Sequence, residues 1–265
     1  MEKPIYLDPV RQNTLMNHLL APFFPRYRVL LELEREPAHL RVPLRNLILS
    51  HDHRLLFLRN QKCACTQTTQ LLYAYANGGK TYPGNVHRAN RGILPGRYRW
   101  PEIKPVFEAH GAYLFTFVRH PETRVHSAFR NFFVDQKNIA RHKHMTPMLA
   151  HGYDPARSDS YNFDVFLDYV GHSFEVDRCN TDSHWRLQTD NIAWSDIRFD
   201  FVGRTERYAA DIRKVFDQVG ASEFSPEALL GQRFNASGAM KSGVSAAQRA
   251  RIEALYAPDY HAFGY

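Results

Sequence analysis

Cysteine is scarce in this sequence: Cys63, Cys65 and Cys179 are three in 265 residues. An odd number with no export signal ahead of it excludes a disulfide framework, so the expectation is free thiols. Long apolar runs are missing too. The longest candidates, such as Ala112 to Val118, stop far short of the roughly 18 residues of a membrane-spanning helix. The stretch MEKPIYLDPVRQNTLMNHLL carries acids and prolines where a secretory leader needs a basic start and an apolar core. The expected location is therefore the cytoplasm, without a transmembrane segment and with peripheral contact as the only membrane association left open. Repeats and low-complexity linkers are also lacking, which points to a single domain over 1–265 with residues 1–50 as an N-terminal extension.

What is present is the composition of a folded chain, 44% hydrophobic and 23% charged. A disordered chain could not bury enough apolar surface to offset its ordering entropy. Lysine plus arginine number 34 against 27 aspartates plus glutamates, a net charge of +7, and 14 histidines add to it at mildly acid pH. An anionic partner or co-substrate fits that balance. The charge is spread along the chain rather than gathered in a dense basic tract, which speaks against a nucleic-acid arm.

Three segments read as a strand followed by a helix. Arg54 to Leu58 precedes a polar turn and a helical spacing at Leu71, Leu72 and Tyr75, closed by Gly78-Gly79. Tyr113 to Val118 runs into Arg119-His120-Pro121, whose proline suits a first helical turn. Arg198 to Gly203 leads to Thr205, read as the N-cap of a helix with Tyr208, Ile212, Val215, Phe216 and Val219 on one face and Gly220 beyond its end. Such alternation predicts a P-loop-like α/β fold, three layers with a central parallel sheet flanked by helices. Ligands of such sheets bind outside the carboxyl ends of the strands. Residues 135–160, crowded with His142, His144, His151, Lys137 and Lys143, read as a surface insertion on the acceptor side. Ser245 with Gln248 is a capping-box pattern for a C-terminal helix carrying Ile252, Leu255 and Tyr256 and stopping near Pro258.

Two of the strand-to-helix loops carry phosphate chemistry. Between the first strand and its helix stands Asn60-Gln61-Lys62-Cys63-Ala64-Cys65-Thr66-Gln67-Thr68-Thr69, where helix N-terminal amides and a lysine make an anion site. The loop has no glycine and its lysine comes before the helix, unlike the G-x-x-x-x-G-K-[ST] of ordinary ATP and GTP sites. Standing alone it reads equally as a polar turn with an N-cap threonine. After the second strand, Arg119 is followed eight residues later by Ser127, a guanidinium and a hydroxyl suited to a second phosphate.

With these two motifs in this order, the chain resembles the sulfotransferases that use 3'-phosphoadenosine 5'-phosphosulfate (PAPS), in particular the carbohydrate sulfotransferase-like branch, sulfotransferase family 2. Lys62-Cys63-Ala64-Cys65-Thr66 resembles the 5'-phosphosulfate loop and Phe117 to Ser127 the 3'-phosphate motif. His184-Trp185-Arg186-Leu187-Gln188, Phe201 to Glu206, Asn235-Ala236-Ser237 and the terminal Tyr256, Asp259 and Phe263-Gly264-Tyr265 extend the likeness. The resemblance implies transfer of a sulfuryl group from PAPS to a hydroxyl, on a saccharide or glycoconjugate, without a metal. It implies Lys62 at the sulfate and bridging oxygen, and Cys63, Ala64, Cys65, Thr66, Gln67 and Thr68, with Thr69, around the 5'-phosphate. Arg119 and Ser127 would hold the 3'-phosphate.

A base must accept the acceptor's proton, and histidine suits that work near neutral pH. His87, lying between the phosphate motifs, is the first candidate, and His184 beside Trp185 is the second. His120 and Arg124 read as structural, Arg124 as an ion-pair former. A Cys63–Cys65 metal site would lack its second cysteine pair. The rival readings are a nucleotide kinase on a similar fold, which the glycine-free loop and the lack of an aspartate pair for magnesium disfavour, and a basic nucleic-acid-binding domain, which needs a clustered basic face.

Overall fold

The computed structural model describes residues 3–8, 15–89, 91–221, 224, 226–231 and 243–265; the Asn235-Ala236-Ser237 motif lies outside them. In chain order the elements are α1 (Leu15–Leu20), α2 (Pro25–Glu34), α3 (Arg41–Asn46), β1 (Leu47–Ser50), β2 (Leu55–Leu58), α4 (Cys65–Ala76), β3 (Ile93–Pro95), α5 (Gly96–Glu108) and β4 (Tyr113–Val118). Then follow α6 (Pro121–Phe129), α7 (Arg141–His151), α8 (Asp159–Asp177), α9 (Gln188–Asn191), β5 (Phe201–Arg204), α10 (Tyr208–Gln218), α11 (Glu227–Leu230), α12 (Ala246–Leu255) and α13 (Ala257–Phe263). No described helix is long and apolar enough to cross a membrane. Contacts gather into two compact units: a sheet unit, Val10–Val118 with Asn191–Asn235, and a helical unit, Met1–Pro9, Arg119–Asp190 and Ala236–Tyr265.

Among the described residues the sheet unit carries five strands, in the order β3-β1-β2-β4-β5. β2, β4 and β5 run parallel, as their strand-then-helix sequence predicts. Every residue of β2 is buried, as are Leu114 to Val118 of β4, which is why both read as unbroken apolar runs rather than alternating ones. The expectation of a wholly parallel sheet is corrected at one edge: β1 pairs antiparallel with β2 and with β3. The reason is a four-residue turn in which the Ser50 hydroxyl bonds Asp52 and accepts from the Leu55 amide, too short for a crossover. Residues 1–50 are accordingly not all extension, since the last four form β1.

Leu71 and Leu72 of helix α4, both fully buried, share one core cluster with Phe57, which stacks on Phe115 with centroids 5.1 Å apart. On α10, Ile212, Val215 and Phe216 are buried and Gly220 sits past the end at φ +62°, the face and stop read from sequence. Thr205 is not its N-cap. A short 3-10 turn covers Thr205–Arg207, and Asp211 accepts the Arg204 amide and the Arg207 guanidinium. In β5, Gly203 lies against Phe117: a Cβ there would stand 2.4 Å from the Phe117 ring. Gly203→Ala is therefore expected to destabilise the chain by about 1–3 kcal/mol through overpacking, measured by urea unfolding.

The helical unit has its own core around Trp185, Phe132, Phe166, Tyr169 and Tyr256. Residues 135–160, read as a surface insertion, contribute to it: α7 buries His144 and Met148, and Tyr153 follows. The histidines misled, because His144 is buried by satisfying its ring nitrogens within the protein. Ser245 and Gln248 form the capping box at the start of α12, and Gln248 also donates to Ser160.

Candidate active site

In the sheet unit, β2 delivers the chain into residues 59–64 and on to α4. Two residues of this glycine-free loop adopt left-handed backbone, Lys62 at φ +67° and Ala64 at φ +58°. A non-glycine residue in this region is strained by roughly 1–2 kcal/mol, and such strain concentrates at binding sites. Alternation of this kind turns successive N–H groups toward one concavity, the shape phosphate loops ordinarily build with glycine. Asn60 pins the loop, donating to the Phe117 carbonyl of β4 at 3.2 Å and accepting the Cys63 amide at 3.1 Å. Cys63 is buried and the Cys65 thiol donates to the Asn60 carbonyl. Both cysteines are free thiols fitted into a tight turn.

Ala64, not a threonine, is the N-cap of α4. The first-turn amides of Cys65, Thr66 and Gln67 lack i−4 acceptors by helix geometry and add the positive end of the helix dipole. Thr66 Oγ1 lies 3.0 Å from His87 Nε2, and Arg59 Nη1 lies 3.1 Å from His87 Nδ1. Arg59 is buried, which pushes its pKa down to about 10, and also bonds the Asn46 side chain. Lys62, Thr66 and His87 thus belong to one unit, with His87 touching the loop itself.

Three of the residues assigned to the 5'-phosphate have their side chains engaged elsewhere. Thr68 is buried, its hydroxyl donating to the Ala64 carbonyl and meeting the Tyr208 hydroxyl at 2.9 Å. Thr69 is buried likewise, bonding the Cys65 carbonyl at 2.7 Å. Helix phase decides this for Thr68, since two residues on from Thr66 a side chain points to the opposite face, while Thr69 is held by its bond back to the preceding turn. Gln67 donates its side-chain amide to the Leu229 carbonyl.

In the helical unit Arg119 follows the last residue of β4 and is half-buried, and its Nε bonds Thr123 Oγ1 at 3.1 Å. Ser127 is buried on α6. Gln188, fully buried, grips the Arg119 backbone from both sides, accepting its amide at 2.9 Å and donating to its carbonyl at 2.8 Å. Asp259 of α13 in turn accepts the Gln188 and Thr189 amides, with burial raising its pKa against the pull of Arg124 and those amides. Gln188 and Asp259 are positioning residues for Arg119 that sequence reading quoted but gave no role. Arg124 is structural as expected, although by donating to the carbonyls of Ser183 and Arg186. His120 packs edge-on between Tyr260 and Tyr265.

His184 is tied to an aspartate rather than to Trp185. Its Nδ1 lies 2.7 Å from Asp182 Oδ1 and its ring packs on Phe132. The buried Asp182 also meets His144 Nε2 at 3.0 Å, and the Tyr169 hydroxyl stands 2.9 Å from His144 Nδ1. Burial works to raise the Asp182 pKa, but His184 and His144 outweigh it and hold the carboxyl well below the usual range. An ionised carboxylate only accepts, so neutral His184 carries its proton on Nδ1 and keeps a lone pair on Nε2, where Asn138 Nδ2 lies 3.4 Å away. Asp182→Asn is expected to lower stability by about 1–3 kcal/mol at neutral pH. Because its folded pKa lies below the unfolded value of about 3.9, this contribution is complete well above that pH, begins to decline as pH falls past it and is lost as pH falls on through the folded pKa. Urea unfolding of both proteins, from neutral pH down to about pH 3, should show a flatter acid limb in the variant.

Among the described residues no group of three or more His, Cys, Asp or Glu is arranged to hold a metal ion. A strand-end loop with a lysine in left-handed backbone, opening onto a helix N-terminus, has the form of an anion-binding loop in an α/β protein. The sequence profile described as "Sulfotransferase family" matches residues 45–265, and the chain belongs to that family. Its reaction is sulfuryl transfer. Carbohydrate sulfotransferase 11 of Mus musculus is 24% identical over 241 residues, covering 84% of this chain and 67% of that protein. Carbohydrate sulfotransferase 14 of Danio rerio is 23% identical over 190 residues, 71% of this chain and 52% of that protein. No solved structure matches the chain significantly.

Proposed function

We propose that the chain transfers the sulfuryl group of PAPS to a hydroxyl of a saccharide or glycoconjugate. The observation that carries this reading is the glycine-free loop, with Lys62 held in left-handed backbone just ahead of the α4 amides and Thr66. The relatives named as carbohydrate sulfotransferases support the saccharide class of acceptor. In this reading Lys62 faces the sulfate and bridging oxygen, while Thr66 and the amides from Ala64 to Gln67 hold the 5'-phosphate, the Cys63 amide being held by the Asn60 carbonyl. Thr68 is left out, because its hydroxyl is spent on Tyr208. Arg119 and Ser127 take the 3'-phosphate. In-line transfer leaves negative charge on the departing phosphate, which a fixed cation stabilises more in the transition state than before it. His87 accepts the acceptor's proton.

Isothermal titration with 3'-phosphoadenosine 5'-phosphate against ATP and GTP tests the reading. Preference for the bisphosphate is expected, and a preference for either triphosphate would return the kinase reading. Arg119→Ala should weaken the bisphosphate by roughly 1.5–3 kcal/mol, the scale of a charge-assisted hydrogen bond, and 5'-AMP much less. Equal losses for the two nucleotides would remove Arg119 from the 3'-phosphate.

A further inference from the structure

The sheet unit's N-terminal helical hairpin is built with its polarity reversed. Helix α1 turns Asn17 inward, 8% exposed, while Leu15 is 76% exposed and Met16 and Leu19 also face solvent. The turn after it adds Phe23, 75% exposed, and Phe24. Only then does the pattern become ordinary, with Val29 and Leu33 of α2 buried. Five large apolar side chains thus stand outward within ten residues. The other exposed large apolar residues described, such as Ile139 and Val176, are scattered. Scattered ones are normal on any surface, whereas a contiguous set marks an interaction face.

Charge selects the occupant. No acid occurs between Asp8 and Glu32, while Arg11, His18, Arg26 and Arg28 fall within that stretch. Arg26 and Arg28 are exposed beside the phenylalanines, the Arg26 guanidinium 5.7 Å from the Tyr27 ring centroid. A second copy of the chain meeting this face by two-fold symmetry would set these cations against themselves. An anionic bilayer satisfies both halves of the face, since leucine and phenylalanine enter the acyl boundary while arginines rest among the phosphates. We propose that this hairpin docks the enzyme onto the surface of an anionic lipid bilayer, with Leu15, Met16, Leu19, Phe23 and Phe24 as the inserted wedge.

The experiment is flotation of the full chain with vesicles of equimolar phosphatidylglycerol and phosphatidylcholine, and with phosphatidylcholine alone. The protein should float with the anionic vesicles, far less with the neutral ones, and be released as salt rises. Arg26→Gln with Arg28→Gln should weaken binding about fivefold for each arginine neutralised. Phe23→Ser with Phe24→Ser should weaken it by about tenfold or more, with an unchanged melting temperature and unchanged turnover on a soluble acceptor. The idea is overturned by equal binding to the two vesicle types, or by variants that bind like the parent. It is equally overturned if the parent floats with neither vesicle and light scattering instead finds a dimer that Phe23→Ser with Phe24→Ser returns to monomer.

Discussion

Lys62→Ala should cut turnover by about 100- to 1,000-fold, the scale for removing one electrophilic contact in a preorganised site. Burial of hydrophobic area does not enter, because the side chain is half-exposed at a loop. The alanine inherits the same left-handed backbone, φ +67° in Lys62, so the strain in the loop is unchanged and the fold should persist. Charge develops on the departing phosphate only as the bond to sulfur breaks. The loss should therefore fall on kcat more than on donor affinity. Single-turnover rates at saturating PAPS, with a thermal melt as control, separate the two. Near-normal turnover in a folded variant would take Lys62 out of the chemistry.

His87→Ala is expected to lower turnover by about 100- to 10,000-fold, as loss of a general base does, with bisphosphate affinity nearly unchanged and the low-pH limb of the rate profile gone. The ring's surroundings make this a demanding test. Arg59 can only donate, so Nδ1 accepts and the neutral ring carries its proton on Nε2, toward Thr66 Oγ1. A base acting at Nε2 works from the other tautomer. His87→Asn distinguishes the two uses of the ring, since asparagine can still donate to Thr66 but cannot take a proton. Asparagine as inactive as alanine is the expected result. Recovery of most of the rate in His87→Asn would reassign the ring to orienting Thr66, and the base to His184, whose Nε2 already has its lone pair.

Much of the fold was legible because the buried parallel strands are written as uninterrupted apolar runs, Leu55 to Leu58 and Tyr113 to Val118, each followed by helical spacing. β1 escaped notice: Leu47-Ile48-Leu49-Ser50 is as apolar as β2, but nothing local announces the side-chain turn at Ser50 and Asp52 that folds it back. The loop after β2 was legible as a tight polar turn into a helix, whereas the separate environments of its threonines were not. Thr66 and Thr68 are the same residue type two positions apart, but the first meets His87 and the second the distant Tyr208. Long-range pairing also hid Gln188, 69 residues from the Arg119 backbone it holds. His144 misled in the opposite direction, a polar residue in a polar segment that the Asp182 carboxylate and the Tyr169 hydroxyl carry into the core.

Glycine would have reached the left-handed turns at positions 62 and 64 without strain, yet lysine and alanine occupy them. A glycine loop samples many shapes when empty and must surrender them each time a ligand arrives. Here that ordering is completed once, when the chain folds, because side-chain-bearing residues confine the empty loop to few alternatives. A ligand arriving at such a loop has fewer conformations to freeze than it would meet in a glycine loop, so less of its binding energy goes into ordering the backbone.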